Sequence, residues 1–251
     1  VADGIMTKAV HLHPNGELVL LPWPLAGGRD QEREILLNPS YFSPGHYRIF
    51  EVETGNRRWG KLAQDTYRQL ERLCEATLGE GGVVASPDWV LLQTDGGLCT
   101  GPVGGYVSGW DAFRLWWRLR LDIDLGGGNR RAEDYITRRL VPFLEKSMQE
   151  SGGDVASESD KSGMPRVKYS NAGMAAVYRW AARDLAPSMS RTMERQAVRR
   201  LQRDGEYMFF QDRDAYSTNS WAWFAMLEGD FLFPFGKFYN LGGRRSDQPE
   251  E

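Results

Sequence analysis

The sequence predicts an all-α fold, a toroid of stacked helical hairpins. Along most of the chain after residue 43, apolar residues recur at three-and-four spacing, which places them on one face of an α-helix. The sequence shows no alternation of strand and helix patterns, no glycine-rich phosphate loop and no internal repeat of the roughly 20–50 residues that helical solenoids use. Its 251 residues are enough for one large domain with a substantial buried core.

A short extended segment precedes the predicted helices. The apolar run at residues 18–21 lies between Asn15-Gly16 and prolines, and is typical of a short strand or extended segment. Ser43 followed by Pro44 has the form of an N-cap with proline at the first helical position, so a helix is predicted from there to about residue 54. Further helices are predicted over residues 57–78, 111–125, 131–150, 170–185, 188–203 and 217–228.

Burial also differs between the predicted segments. Apolar positions nearly encircle the helix predicted over residues 111–125, so that helix should be buried on most sides. Residues 151–165 are rich in Ser, Gly and Asp and are predicted to form an exposed loop. Residues 244–251 are predicted to be a polar tail, which leaves residues 1–243 as the domain.

Charge and composition exclude several classes of function. A formal net charge of −3 provides no basic field for nucleic acid, and no apolar run approaches the roughly 18–20 residues of a membrane span. With only two cysteines, Cys74 and Cys99, a metal-thiolate cluster is excluded, while one disulfide and two free thiols both remain open. His11 and His13 would share one face of a strand, but no third ligand is nearby, so a surface strand is favoured over a metal site.

Aromatic side chains are the informative part of the composition. Nine Trp, ten Tyr and eleven Phe make up 12% of the chain. Tryptophan is costly to bury unless its N–H finds a partner, so surplus Trp and Tyr often line clefts. The flat C–H faces of sugar rings stack on such aromatic faces, which makes carbohydrate a candidate ligand. A large helical core would explain the same composition.

Four short motifs, taken together in their order and spacing, resemble one family. They are Asn-Pro-Ser-Tyr-Phe at residues 38–42, Ser-Pro-Asp-Trp-Val at 86–90, Gly-Trp-Asp-Ala-Phe-Arg at 109–114 and Ser-Trp-Ala-Trp-Phe at 220–224. The third is similar to the Tyr-Asp-Ala-x-Arg signature of glycoside hydrolase family 8, which includes secreted endoglucanases, xylanases and chitosanases. The resemblance runs over nearly the whole chain but covers only part of the family domain.

This resemblance implies a fold and an activity. The fold is an (α/α)6 barrel with a long cleft across one end, incomplete in this chain. The activity is inverting hydrolysis of a β-1,4-linked polysaccharide such as cellulose, with no metal or organic cofactor. A secreted or periplasmic location also follows from the resemblance, although the chain carries no signal-peptide pattern.

The resemblance implies three catalytic residues. Asp111 is the candidate general base, at the positive end of the helix that it opens; the alternative is an ordinary N-cap aspartate. Arg114, three residues further on the same helical face, would keep that carboxylate ionised and fix its rotamer, unless it forms only a surface ion pair. Tyr41 matches a family tyrosine that contacts the attacking water or the base, and Pro39 favours an extended conformation at Asn38 that would present it.

The candidate sugar-binding residues are aromatic. Trp110, next to the candidate base, is the first choice for a stacking platform. On a helix, two positions that are two residues apart diverge by about 200°, so at most one of Trp221 and Trp223 faces a given cleft. Weaker candidates, each favoured as a core residue, are Trp89, Tyr106 and Tyr216.

The expected general acid is missing from these candidates. In the family, a glutamate near the N-terminus of the domain protonates the leaving oxygen, and its counterpart would lie upstream of Val1. No residue of this chain is therefore assigned as the acid, and an N-terminal fragment or a second chain of the same enzyme is an expected partner. Alternatives are a non-catalytic carbohydrate-binding or scaffold subunit, and a xylanase or chitosanase of the same family.

Overall fold

The computed structural model describes residues 1–24, 34–77, 85–100, 105–126 and 129–227. The α-helices in this part of the chain are α1 (Ala2–Lys8), α2 (Pro44–Thr54), α3 (Arg58–Thr77), α4 (Phe113–Leu125), α5 (Arg130–Tyr135), α6 (Val141–Ser151), α7 (Ala172–Ala182), α8 (Pro187–Val198) and α9 (Tyr216–Met226). The strands are β1 (Val10–Leu12), β2 (Leu18–Leu20), β3 (Glu34–Leu37), β4 (Val90–Gln93), β5 (Leu98–Cys99), β6 (Leu201–Asp204) and β7 (Tyr207–Phe210). The predicted tail at residues 244–251 lies outside the described residues.

Helix α7 lies at the centre of the helical core. Every residue from Ala172 to Ala182 is buried, and the helix packs against α4, α8 and α9. Apart from Arg179, the helix carries apolar residues and one tyrosine on all its faces, so a central position is the stable one. At Gly173 a Cβ atom would lie 2.8 Å from the Thr218 carbonyl oxygen, so the close approach of α7 and α9 requires glycine.

Helix α4 is buried as predicted. Nine of its residues are buried, and Trp116 stacks on Tyr135 with ring centroids 5.8 Å apart. The predicted start at Asp111 is wrong by two residues, because α4 begins at Phe113 and Asp111 lies in the turn before it. The turn exists because a side chain distant in sequence, Asp88, binds its backbone amides.

A fully buried carboxylate joins α4 to its neighbours. Asp122 of α4 accepts hydrogen bonds from Arg48 of α2, Tyr67 of α3 and Asn129, the N-cap residue of α5. A buried charge needs such partners, since an unpaired carboxylate would be costly to desolvate. The network fixes how α2 and α3 pack on α4.

Within the described residues, three small antiparallel sheets accompany the helices, and most of their strands were not predicted. The strand expected at residues 18–21 is confirmed as β2, which pairs with β1 after the short helix α1. The helix predicted over residues 188–203 is wrong beyond Val198, because β6 and β7 form a hairpin there. Its two-residue loop begins at Gly205, whose φ of 61° suits the first loop position of such hairpins.

The segment predicted to be an exposed loop at residues 151–165 is partly buried. Val155, Ala156, Ser157 and Ser159 are each at most 4% exposed. The Val155 amide donates to the Gln196 side chain, and the backbone of Ser159 pairs with Ser108 in both directions. Hydrogen bonds to other parts of the fold satisfy this polar backbone, so its Ser- and Gly-rich composition does not keep it in solvent.

Helix α2 begins at Pro44 and ends at Thr54, as predicted, and carries a half-buried histidine, His46, in its first turn. His46 Nδ1 lies 2.6 Å from Ser43 Oγ. Burial lowers the pKa of His46 from its ordinary value of 6.5, and the positive charge of Arg118 lowers it further. The unfolded chain therefore binds a proton at a higher pH than the folded chain, so this site loses stability as pH falls below about 6.5.

We expect the melting temperature to fall when the pH is lowered from about 7.5 to about 5.5, and this fall to be smaller in His46→Gln. Thermal melts at both pH values measure the difference. His11→Gln is the matched comparison, because burial and His13 also lower the pKa of His11. Hydrogen bonds and nearby cations lower the pKa values of the Asp160 and Asp184 carboxyls from their ordinary value, so these groups do not contribute to this window. An unchanged pH dependence in His46→Gln would contradict the assignment.

Candidate active site

The three-stranded sheet brings two of the quoted motifs to one place. Strands β3 and β4 are antiparallel and Leu37 is paired with Val90, so the residue that follows β3 and the residues that precede β4 lie at the same end of the sheet. Asn38 leaves from the first strand and Asp88 leads into the second. Both side chains bind the turn that carries Asp111.

Asp88 holds the backbone of that turn. Its Oδ1 accepts hydrogen bonds from the amides of Gly109, Asp111 and Ala112 at 2.9, 3.2 and 2.8 Å. Burial raises the pKa of Asp88 above its ordinary value, although the amide donors and Arg114 oppose this shift. Asp88 therefore replaces the N-cap side chain that α4 lacks, although it is more than twenty residues away in sequence.

The carboxylate of Asp111 is consequently left to other partners. Oδ2 accepts a hydrogen bond from Asn38 Nδ2 at 3.0 Å, and Oδ1 forms an ion pair with Arg114. The side chain remains 26% exposed. The alternative that Asp111 is an ordinary N-cap residue is wrong, because the residue at the N-cap position is Ala112 and it makes no side-chain cap. A charged carboxylate fixed by two side chains and open to solvent can accept a proton from water.

Arg114 and Tyr41 lie beside this carboxylate. The guanidinium carbon of Arg114 is 5.9 Å from the Tyr41 ring centroid, within the range of a cation–π contact. Burial lowers the pKa of Arg114, while Tyr41 and Asp88 oppose the shift; arginine remains a cation at neutral pH. Asn38 is extended as predicted, with φ −118° and ψ 103°, but residues 39–41 form a 3₁₀ turn and are not extended.

Trp110 presents an exposed indole next to Asp111. The side chain is 44% exposed, and its Nε1–H donates to Glu158 Oε1 at 3.2 Å. The indole N–H is the only polar group of this side chain, and it is bonded to a carboxylate. The indole is therefore partly open to solvent.

The other predicted aromatic residues lie elsewhere in the fold. Trp221 packs edge-on against Phe113 and Trp117, and Trp223 packs against Phe210. The remaining positions are Tyr106, whose hydroxyl donates to the Ala85 carbonyl oxygen, Trp89, which packs 6.0 Å from Trp23, and Tyr216, which is 84% exposed at the start of α9. The structure thus groups Asp111, Arg114, Tyr41 and Trp110, and Trp221 of α9 contacts Phe113, the first residue of α4.

Three residues that contact this group were not singled out from the sequence. Asn38 and Asp88 are polar residues inside the quoted motifs, and their adjacency to a proline or a strand start was a usable signal. Glu158 gave no such signal, because it reaches Trp110 from a segment 48 residues away in the chain.

Further observations concern metal ligands, cysteines and membranes. No cluster of three or more His, Cys, Asp and Glu side chains suited to a metal ion occurs in the described ranges. His13 is buried rather than on a surface strand, and no disulfide joins Cys74 and Cys99. None of the described helices has the length and apolar character needed to cross a bilayer.

Comparison with known proteins places the sequence in a family. The family model for Glycosyl hydrolases family 8 matches residues 3–195. Endoglucanase A of Acetivibrio thermocellus is 32% identical over 122 residues, which are 48% of this chain and 23% of that protein. Endoglucanase 2 of Ruminiclostridium josui is 35% identical over 107 residues, 43% of this chain and 20% of that protein. The chain therefore matches about a fifth of the length of these relatives.

The fold is also that of solved proteins. The β-1,3-1,4-glucanase of Paenibacillus sp. X4 superposes with a TM-score of 0.70 at 16% identity, covering 94% of this chain and 57% of that one. This likeness confirms the predicted helical, (α/α)6 barrel type of fold. Since the family match covers most of the residues that carry the helices and the Asp111 site, the chain belongs to glycosyl hydrolase family 8.

Proposed function

We propose that the chain carries the general-base side of an inverting endo-β-1,4-glucanase. The observation that supports this most directly is the environment of Asp111, a solvent-accessible carboxylate held by Asn38 and Arg114 beside the exposed ring of Trp110. The names of the relatives, endoglucanases, indicate the same substrate class. A β-1,4-glucan is accordingly the proposed substrate, and the proposed location is outside the cytoplasm.

In the proposed reaction, Asp111 takes a proton from a water molecule on the face of the sugar ring opposite the leaving oxygen. The water oxygen bonds to the anomeric carbon while the glycosidic C–O bond breaks, and a separate acid protonates the leaving oxygen. The positive charge of Arg114 keeps Asp111 ionised, and the hydrogen bond from Asn38 fixes the other carboxylate oxygen. Tyr41, in contact with Arg114, lines the same place.

We assign the general acid to a segment outside these 251 residues, as the family resemblance implies. In inverting enzymes the acid and the base stand roughly 6.5–9.5 Å apart, which leaves room for the water. We likewise propose that residues 1–243 form one part of a larger catalytic domain. Xylan and chitosan are the alternative substrates.

The test is reducing-sugar release from carboxymethyl-cellulose, by this chain alone and together with any N-terminal piece that co-purifies. We expect release when the acid is present, and the α-anomer as the first product when cellohexaose is followed by proton NMR, because inversion changes the β-linkage. Binding of cellohexaose without release under both conditions would favour a non-catalytic carbohydrate-binding subunit. A β-anomeric first product would contradict an inverting mechanism.

A further inference from the structure

The exposed ring of Trp110 is held at its edge by one carboxylate. Glu158 Oε1 accepts the indole N–H at 3.2 Å and lies 3.5 Å from the hydroxyl of Tyr169. Trp110 and Tyr169 are 44% and 50% exposed. Two exposed aromatic side chains therefore share one acceptor, next to the residue that is the candidate base.

The backbone around Glu158 is itself fixed on both sides. The Ser157 amide donates to the Tyr169 carbonyl oxygen at 3.0 Å, and the Arg166 amide donates to the Glu158 carbonyl oxygen at 2.9 Å. Ser159 exchanges two hydrogen bonds of 3.0 Å with Ser108, which lies just before Trp110. The carboxylate is therefore carried by a segment that is tied to the Trp110 turn, and its position relative to the indole is determined by the fold.

The second carboxylate oxygen of Glu158, Oε2, is the one that these two hydrogen bonds do not use. Hydrogen bonds from Trp110 and Tyr169 both reach Oε1, and within the described ranges no hydrogen bond to Oε2 is formed. An ionised carboxylate oxygen accepts hydrogen bonds from hydroxyl groups, and the equatorial hydroxyls at the rim of a pyranose ring lie beside any aromatic surface on which that ring stacks.

We propose that Glu158 is a positioning residue that orients the indole of Trp110, and that Glu158, Trp110 and Tyr169 together form a subsite for an uncharged pyranosyl ring next to the position where Asp111 acts. The ring stacks on the indole, and Glu158 Oε2 accepts a hydroxyl of the same ring. This inference rests on the proposed function and adds to it the residues of one sugar subsite and the chemical group that each recognises.

Calorimetric titration with cellohexaose tests the subsite in the chain carrying Asp111→Asn, in which turnover is expected to be strongly reduced. We expect Glu158→Ala to weaken binding about threefold to tenfold, the loss of one charge-assisted hydrogen bond at a partly exposed site. Glu158→Gln, which keeps an acceptor for the indole N–H, should lose less. Glu206→Ala, in the exposed β6–β7 turn, is the matched control and should bind like the parent protein.

A double-mutant cycle separates positioning from a general structural role. Trp110→Phe keeps an aromatic face but has no N–H to donate, so Glu158→Ala should cost less affinity in that background than in the parent. In the ¹H–¹⁵N spectrum, the indole signal that disappears in Trp110→Phe should shift in Glu158→Ala, while the other indole signals stay in place.

Each outcome decides the inference. Unchanged affinity in Glu158→Ala, with a parent protein that binds cellohexaose, would overturn the subsite and leave the proposed function intact. Equal losses from Glu158→Ala in both backgrounds would overturn the positioning role. A parent protein that binds no cellohexaose at all would overturn both the subsite and the proposed function.

Discussion

Asp111→Asn is expected to lower kcat by roughly 10²–10⁴-fold, the range in which general-base catalysis contributes to enzymatic rates. The amide cannot take the proton of the attacking water, while its size and its contact with Asn38 are retained. Affinity for cello-oligosaccharides should stay close to that of the unchanged enzyme, because the exposed face of Trp110 is unaltered. Initial rates on cellohexaose and calorimetric titration with the same ligand measure the two quantities.

The control for this experiment is Asp95→Asn. Asp95 is an exposed aspartate in the β4–β5 turn, and its carboxylate accepts only the nearby Gly97 amide among the contacts described. Asp95→Asn also removes one negative charge, but from a turn of the β3–β4–β5 sheet, and it should leave kcat unchanged. Near-normal turnover by Asp111→Asn would remove Asp111 from the base role, whatever its geometry.

Much of the helical architecture is predictable because it depends on local rules. The start of α2 at Pro44 follows from a proline at the first helical position, and the burial of α4 follows from its apolar circumference. Helix α3, at Arg58–Thr77, matches the predicted range 57–78 because its apolar residues keep one face over five turns.

The strands and the partly buried loop could not be predicted in the same way. Residues 201–204 continue a helical pattern, and the hairpin signal is confined to Asp204-Gly205. Residues 155–159 have the composition of an exposed loop, but partners such as Gln196 and Ser108 pair with their backbone from distant parts of the chain. Such pairings are tertiary, and composition carries no information about them.

Parts of the candidate site could be predicted from the sequence, and other parts could not. Asp111, Arg114 and Tyr41 were identified because they lie in short motifs that resemble a family. Asn38 and Asp88 lie in the same motifs, but their contacts with the Asp111 turn depend on the fold: Asn38 follows β3, and Asp88 precedes β4. Pairing of Leu37 with Val90 is what places both at the turn before α4. A motif thus indicates the candidate base, and the sheet register determines which side chains surround it.

Asp88→Ala is expected to lower kcat by roughly 10²-fold, because it removes the acceptor of three amides in the turn that presents Asp111, and a displacement of about 1 Å can cost that much. The free energy of unfolding should fall by about 1–2 kcal/mol, as when an N-cap is lost. Asp88→Asn keeps an oxygen in the place of Oδ1 and should recover most of both. Steady-state kinetics and thermal melts provide the measurements.

Comparison with a cap elsewhere in the fold shows whether the loss is specific to the site. Asp212 Oδ1 accepts the Asp214 amide at 3.0 Å in an exposed turn before α9, so Asp212→Ala also removes a carboxylate that holds backbone. It should cost stability without lowering kcat. If Asp88→Ala behaves in the same way, losing stability while retaining kcat, the position of Asp111 does not depend on Asp88. Its orientation then rests on Asn38 and Arg114, whose contacts with the carboxylate are direct.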